Sequence, residues 1–296
     1  MEAHIKEILE SKFEKELFES AIHNLNDVNN KLRYNNFAYS IRELSRHFLH
    51  RLSPDEHVKS CEWFKVITDN GKPTRTQRIK YAIQGGITDE MLKDLDFEVD
   101  ELNEEIKSIK KTIDSLSRYT HINEDTFNLE SSQVEKMSQK VFNELKTFVE
   151  RVKSCKTDLT IFLDGKIEQH MIEEIIFNNY ENVGALARRF SIDSSDVTNY
   201  HIIEINNDTI IVDISGDIHF ALEYGSNKER REGDGLDINQ SFPFQTKIRY
   251  EINKDFPSGN FEVDAFGVNT DSWYGEIDDD ELDKMIDEEI EKEDNS

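Results

Sequence analysis

The sequence predicts an α+β protein in which a helical N-terminal bundle precedes a small antiparallel β-sheet or sandwich domain. Apolar residues recur at helical spacing over the first 155 residues, whereas strand-like alternation and turn residues dominate from Thr198 onward. A hydrophobic fraction of 36% with 18 Phe supports packed cores. We therefore expect a helical bundle at 1–155, a connecting helical segment at 156–197, a β domain at 198–275 and an acidic C-terminal helix or tail at 276–296.

Five amphipathic segments justify the helical part, each with apolar side chains three or four residues apart. Ser53-Pro54 ends the second segment, Pro73 lies near the first turn of the third, and Gly85-Gly86 stops it. The predicted helices cover about 2–30, 33–52, 73–84, 99–119 and 131–153, and residues 167–180 of the connecting segment are also expected to be helical. Such segments are typical of an α-bundle with one polar face.

The β part begins with a predicted hairpin, in which His201–Ile205 and Thr209–Ile214 flank the turn residues Asn206-Asn207-Asp208. Alternating apolar residues predict further strands at 217–224, 247–252 and 261–268. These strands fit a small antiparallel sheet, or a sandwich.

The charge is distributed unevenly. Residues 1–160 carry 25 basic and 29 acidic side chains, residues 161–296 carry 11 and 33, and the whole chain has a formal charge of −26. The acidic half repels phosphate, so we expect it to bind other partners. Twelve acids and two lysines lie in 276–296, where Leu282, Met285, Ile286 and Ile290 keep helical spacing; the segment is either a docking helix or a frayed acidic end.

The compartment is predicted to be cytoplasmic, with no membrane partner. Cys61 and Cys155 show no metal-binding spacing and suggest reduced thiols. Residues 1–18 are rich in Glu and Lys, unlike a signal peptide, and no apolar run reaches the length of a membrane span.

An Arg/His cluster on the second helix is the first candidate for chemistry. Residues 33–80 hold ten Lys/Arg against five Asp/Glu, which makes them a basic island in an acidic chain. Arg42 and His47 are the residue types that metal-independent RNA cleavage needs, a cation for the phosphate and a base for the ribose hydroxyl. Five residues apart on a helix they lie about 140° from each other, so they would have to converge with another helix or with a second subunit. The alternative is a solvated helix face.

Two further clusters lie within the helical part. Arg118 and His121, at the end of the fourth segment, share a helix face and together with Tyr119 could join the first cluster, although His121 at a helix C-terminus could simply stabilise that helix. Arg75 and Arg78 share a face at the start of the third segment, where they could hold a phosphate or pair with carboxylates. The predicted catalytic residues are Arg42, His47, Arg118 and His121, and the predicted substrate-binding residues are Arg46, Arg75, Arg78 and Tyr119.

A glycine-rich acidic stretch at 223–235, followed by Ser241–Phe244, is the remaining candidate. Its carboxylates follow no calcium-loop or restriction-nuclease spacing, and a connection between strands explains them better. The sequence has no phosphate-binding loop, dinucleotide fingerprint, zinc-protease motif or serine elbow. We therefore expect no metal and no cofactor.

Several short runs carry a resemblance to a known family; they are Ser40–Leu44, Leu52–Lys59, Trp63-Phe64, Pro73–Arg78, Arg118–His121, Leu222–Asn227, Arg231–Gly235, Ser241–Phe244 and Ser272–Tyr274. With these runs the chain resembles the predicted pPIWI-associating nucleases of prokaryotic conflict systems, over most of its length except 276–296. The resemblance implies a role in anti-phage defence together with other defence-system proteins. It implies no particular set of catalytic residues.

The helical half also resembles RNA-cleaving HEPN domains, which use an Arg-x(4–6)-His pair, although Glu43 follows Arg42 where a polar Asn, Asp or His is common. This resemblance implies a homodimeric, metal-independent ribonuclease with RNA as its substrate, regulated by the acidic β domain and tail. The alternative is a non-catalytic adaptor or sensor that uses the basic island for protein partners, and the net charge favours it. A nucleic-acid mimic that inhibits a basic partner is a third reading. Whether the chain is an enzyme stays open at this point.

Overall fold

The computed structural model describes residues 2–257 and 259–275. Within them most of the helices precede a four-stranded antiparallel sheet, which confirms the predicted α+β class. The helices are α1 (Glu2–Lys6), α2 (Lys12–Asn26), α3 (Arg33–Leu52), α4 (Asp55–Ser60), α5 (Arg75–Gln84), α6 (Asp89–Asp94), α7 (Val99–Ser115), α8 (Ser131–Phe177), α9 (Glu181–Leu186) and α10 (Asn227–Glu232). The predicted acidic helix or tail at 276–296 lies outside the described residues.

Two parts of the helical region are divided into helices differently from the prediction. The segment at 2–30 forms two helices, because the Ser11 hydroxyl accepts a hydrogen bond of 3.1 Å from the Glu14 backbone N–H and caps a new helix start. The helices expected at 131–153 and 167–180 are one helix, α8. Its apolar spacing continues through Leu159, Leu163 and Ile167, which are fully buried, and no proline interrupts it.

The sheet has the order β1 (Arg189–Ile205), β2 (Thr209–Tyr224), β3 (Leu236–Glu251) and β4 (Phe261–Val263). The predicted hairpin forms β1 and β2, and the Asn206 N–H donates to the Thr209 carbonyl at 2.7 Å across the turn. Every second residue of β2 is buried through most of the strand, as the alternation predicts. The strand expected at 261–268 is shorter, and Val268 forms an isolated bridge with Phe244.

The chain divides into two compact units, each built from three segments. The first unit contains Met1–Leu163, Ile202–Ile211 and Arg249–Phe261. The second unit contains Asp164–His201, Val212–Ile248 and, among the described residues, 262–275. The consecutive domain boundaries expected at 155 and 197 stay a prediction.

The core of the first unit forms around one face of α3. Phe37, Ile41, Leu44 and Phe48 are buried, and the ring of Phe48 stacks on that of Phe148 with 5.7 Å between centroids. Because α3 has 3.6 residues per turn, burial of this stripe directs Arg46, His47 and His50 of the same helix to solvent. In the described residues no helix combines the length and the apolar character needed to cross a bilayer.

Candidate nucleic-acid interface

A cleft of about 350 Å³ in the first unit gathers basic side chains from three segments of the chain. The C-terminal half of α3, the loop before α5 and the first turn of α5 line it. Its lining residues are Arg46, Leu49, His50, Lys72, Pro73, Arg75 and Arg78, and we call this set the basic cleft. Guanidinium and ammonium groups around one hollow favour an anionic ligand such as a phosphate.

The start of α5 fixes one wall of the basic cleft. The Thr74 hydroxyl accepts a hydrogen bond from the Gln77 N–H at 3.2 Å, and the Gln77 side chain accepts one from the Thr74 N–H at 2.8 Å. This capping box satisfies two backbone donors and defines the first turn. Arg75 and Arg78, three residues apart, therefore lie on neighbouring positions of the same helix face.

Arg78 joins the end of α3 to α5. Its guanidinium is buried and donates to the Ser53 carbonyl at 2.6 Å and to Asp55 Oδ1 at 2.5 Å, while the Ser53 hydroxyl donates back to the Arg78 carbonyl at 2.7 Å. The hydrogen bond from Arg78 lowers the pKa of Asp55. Arg78 therefore holds the walls of the basic cleft together, and its predicted contact with a substrate stays a prediction.

His50 lies in the basic cleft with its side chain about half exposed. Its partial burial and the positive charge of Arg78 lower the pKa of His50, Arg46 and Lys72 act in the same direction, and Asp55 opposes them. The His50 Nδ1 atom is 4.0 Å from Asp55 Oδ1. An imidazole with a pKa below its ordinary value is neutral at pH 7 and has a nitrogen lone pair available as a base.

We expect an NMR titration of the histidine ring protons to give His50 a pKa below the ordinary value of 6.5. Lys72→Gln should raise that pKa, because one of the cations that disfavour the imidazolium form is removed. Lys15→Gln, a change of the same charge at an exposed position of α2, should leave it unchanged. A His50→Gln spectrum assigns the signal, and a wild-type pKa at or above 6.5 would contradict the geometry.

The exposed face of α3 leads into the basic cleft. Arg42 and Arg46 both form ion pairs with Glu43, at 2.8 and 3.0 Å. Arg75 pairs with Asp114, and Lys72 forms no ion pair with any of the residues that the structure describes. The arginines around the basic cleft are thus partly neutralised, and Lys72 is its most available cation.

The structure brings the two predicted Arg/His clusters close to each other at one point. Arg42 Nε donates to the hydroxyl of Ser117, the neighbour of Arg118, at 3.1 Å. The Arg118 side chain points to Asp125 with 3.8 Å between charged atoms. The Tyr119 ring packs against Tyr34 with 4.8 Å between centroids.

The predicted histidines are not gathered with these arginines. His47 is exposed and lies edge-on against the Phe13 ring, 4.9 Å away, outside the lining of the basic cleft. His121 is exposed beyond the short 3₁₀ turn Leu116–Thr120. Of the eight predicted site residues, only Arg46, Arg75 and Arg78 line the basic cleft. The catalytic assignment of Arg42, His47, Arg118 and His121 stays a prediction.

Sequence reasoning did not select His50 and Lys72 as site residues. The signal for His50 was present, since Arg46 and His50 are four residues apart and therefore share a helix face. Arg42 and His47, five apart, do not share one. The sequence contains no comparable signal for Lys72. Its position in the basic cleft depends on the conformation of the loop before α5, which residue spacing does not reveal.

The glycine-rich acidic stretch lies in the second unit, beside a cavity of about 620 Å³. Glu223 of this stretch pairs with Arg230 at 3.4 Å, Glu232 lies 4.0 Å from Lys228, and the Glu229 carboxylate accepts a hydrogen bond from the Ser226 N–H at 2.6 Å. Within residues 2–257 and 259–275 no three His, Cys, Asp or Glu side chains form a group that could hold a metal ion. These local contacts fit a connection between strands β2 and β3.

The fold and the basic cleft define a mixed α and β protein with a cleft lined by basic side chains in its helical part. Two family models, both described as predicted pPIWI-associating nuclease, match residues 6–145 and residues 152–274. The chain belongs to the predicted pPIWI-associating nuclease family, which confirms the resemblance seen in its sequence. No curated protein and no solved structure matches the chain.

Proposed function

We propose that the chain is a ribonuclease of a bacterial conflict system and that it cuts RNA in the basic cleft with His50 as the base. The observation that carries the proposal is the place of an imidazole in a cleft lined by basic side chains. His50 has a lowered pKa, and Arg46, Lys72, Arg75 and Arg78 line the same cleft. This combination supplies both groups that cleavage of a ribose phosphodiester requires.

The proposed reaction needs one proton acceptor and a positive environment for the phosphate. His50 removes the proton from the ribose 2′-hydroxyl, and the 2′-oxygen attacks the neighbouring phosphorus. The bond from phosphorus to the 5′-oxygen then breaks, that oxygen takes a proton from water, and the protonated His50 gives its proton to the hydroxide that remains. The products are a 2′,3′-cyclic phosphate and a free 5′-hydroxyl, while the cations of the basic cleft stabilise the negative charge on the phosphorane oxygens.

Purified protein should therefore cleave single-stranded RNA in the presence of EDTA and leave a 2′,3′-cyclic phosphate on the 5′ fragment. A matched oligonucleotide of the same sequence in which every sugar is 2′-deoxy should remain intact, because it lacks the attacking hydroxyl. Gel analysis and mass spectrometry of the fragments measure both results. Absence of RNA cleavage with or without divalent metal, or cleavage of both substrates at one rate, would contradict the proposal.

The catalytic residues predicted from the sequence give a competing version of the same activity. In it Arg42 contacts phosphate, His47 or His121 acts as acid and base with Arg118 nearby, and a HEPN-like homodimer completes the site. The hydrogen bond between Arg42 and Ser117 supports proximity of these clusters. The double variants Arg42→Ala/His47→Ala and Arg118→Ala/His121→Ala test it, since each should then abolish cleavage.

A non-catalytic adaptor is the second candidate function. It is favoured because the arginines of the basic cleft already form ion pairs with carboxylates. Arg46, Arg75 and Arg78 each contact a carboxylate of the chain itself, and the formal charge of −26 opposes nucleic-acid binding overall. In this version the basic cleft holds an acidic surface of a partner, and the family description suggests a pPIWI protein as that partner. Binding of purified pPIWI protein that Lys72→Gln weakens, with no RNA cleavage, would support it.

The acidic part of the chain is proposed to regulate the site. Residues 161–296 hold 33 acidic against 11 basic side chains, so they can compete with phosphate for the cations of the basic island. This proposal includes the segment 276–296. Removal of 276–296 should increase RNA affinity if the segment masks the basic island, and should leave the affinity unchanged if it does not.

A further inference from the structure

The exposed face of α3 carries an aromatic ring and cations in one line that ends in the basic cleft. Tyr39, Arg42, Arg46 and His50 follow one another at intervals of three or four residues, and we call them the α3 stripe. At a rise of 1.5 Å per residue, Tyr39 and His50 are about 16 Å apart along the helix axis. An extended nucleic-acid strand of a few nucleotides spans such a distance.

Tyr39 differs from the other tyrosines of this region. Its side chain is 56% exposed, and within the described residues no hydrogen bond or ring contact engages it. Tyr34, by contrast, is buried and packs against the half-buried Tyr119. An exposed aromatic ring in line with a row of cations has the arrangement by which proteins bind unpaired bases, which stack on the ring while cations hold the phosphates.

Glu43 limits the positive charge of the α3 stripe. Its two carboxylate oxygens contact Arg42 and Arg46, at 2.8 and 3.0 Å, and hold both guanidinium groups on the same side of the helix. The contacts orient the arginines but reduce the charge that they offer to a phosphate. Loss of the Glu43 charge should therefore strengthen binding of a polyanion.

We propose that the α3 stripe is a binding track for single-stranded RNA, in which an unpaired base stacks on Tyr39 and the following phosphates contact Arg42 and Arg46. The strand then enters the basic cleft, so the track selects single strands for cleavage beside His50; this last part rests on the proposed function. A duplex cannot use the track in this way, because its bases are already paired and stacked.

The test is a binding titration by fluorescence anisotropy in EDTA, with a 12-nucleotide RNA that carries 2′-O-methyl groups and therefore cannot be cleaved. Tyr39→Ala should weaken binding by about tenfold to a hundredfold. Tyr39→Phe should keep the wild-type affinity because it keeps the ring. Glu43→Gln should strengthen binding several-fold and make its salt dependence steeper. Tyr274→Ala, a change at another exposed tyrosine, should have no effect.

The same RNA annealed to its complement should bind more weakly, and Tyr39→Ala should not change its affinity. Equal single-strand affinities for Tyr39→Ala and the wild type would overturn the track, and so would equal losses in Tyr39→Ala and Tyr39→Phe. The two proposals fail separately. RNA cleavage that needs His50 but binding that ignores Tyr39 overturns the track alone, whereas binding that needs Tyr39 without any cleavage supports the track and overturns the ribonuclease.

Discussion

Replacement of His50 by Gln is expected to lower the rate of RNA cleavage by about 10²- to 10⁴-fold, the usual contribution of a positioned proton acceptor. Glutamine keeps a polar side chain of similar length but cannot take a proton from the 2′-hydroxyl. His50 is about half exposed, so the substitution should leave the fold intact. Initial cleavage rates on a single-stranded RNA, with circular dichroism as a check of folding, measure the effect. RNA affinity should change little, because the neighbouring cations remain.

His47→Gln is the matched control, since His47 is exposed on the same helix but packs against Phe13 outside the basic cleft. It should retain cleavage close to the wild-type rate. Loss of cleavage in His47→Gln together with full activity in His50→Gln would reverse the assignment in favour of the Arg42/His47 pair.

The rate of cleavage by the wild-type protein should rise with pH through a midpoint below 6.5 and then level off. Cleavage in this proposal needs the neutral form of His50, whose pKa is lowered.

The periodicity of apolar residues predicted the element types well, because burial of one side of a helix or strand leaves a direct trace in the sequence. α3 and β2 are clear examples: Ile41, Leu44 and Phe48 are buried on one helix face, and Ile218, Phe220 and Leu222 are buried on one strand face. Boundaries were predicted less well. The end expected near residue 153 does not exist, because nothing in the sequence after it breaks the helix.

The candidate site was predicted only in part, for a different physical reason. Residues that share a helix face can be read from spacing, as Arg46 and His50 show. A cleft formed by segments far apart in the chain cannot, because its geometry depends on tertiary contacts. The buried hydrogen bonds of Arg78 with Ser53 and Asp55 join the end of α3 to α5 and thereby form the basic cleft. From the sequence Arg78 could hold a phosphate or pair with a carboxylate, and spacing alone does not identify Asp55 as its partner.

The glycine pair after α5, Gly85-Gly86, also has a role that depends on tertiary contacts and could not be predicted from the local sequence. Its sequence predicts a helix stop, and α5 does end at Gln84. Its second role is to contact the β1–β2 turn. Gly85 has a φ of +58°, and the Gly86 N–H donates to the Asn206 carbonyl of the β1–β2 turn at 2.7 Å. Both positions are therefore constrained by a segment about 120 residues further along the chain.

Gly86→Ala is expected to lower the free energy of unfolding of the protein by about 3 kcal/mol, the upper part of the usual cost of overpacking. A Cβ atom at position 86 would overlap the carbonyl group of Asn207, which is backbone and cannot rotate away. The β1–β2 turn would have to move, and the hydrogen bond between the Gly86 N–H and the Asn206 carbonyl would lengthen or break. Urea denaturation and the exchange rate of the Gly86 amide proton measure the two effects.

Gly165→Ala provides the matched control. Gly165 lies within α8, and a Cβ atom there would meet nothing within 4 Å. The same substitution should stabilise the protein by up to about 1 kcal/mol, because alanine restricts the unfolded chain and favours the helix. Opposite shifts of the urea midpoint in the two variants would establish that close approach of the β1–β2 turn, rather than the loss of a glycine as such, determines the cost at Gly86. Equal shifts would contradict the contact between Gly86 and Asn207.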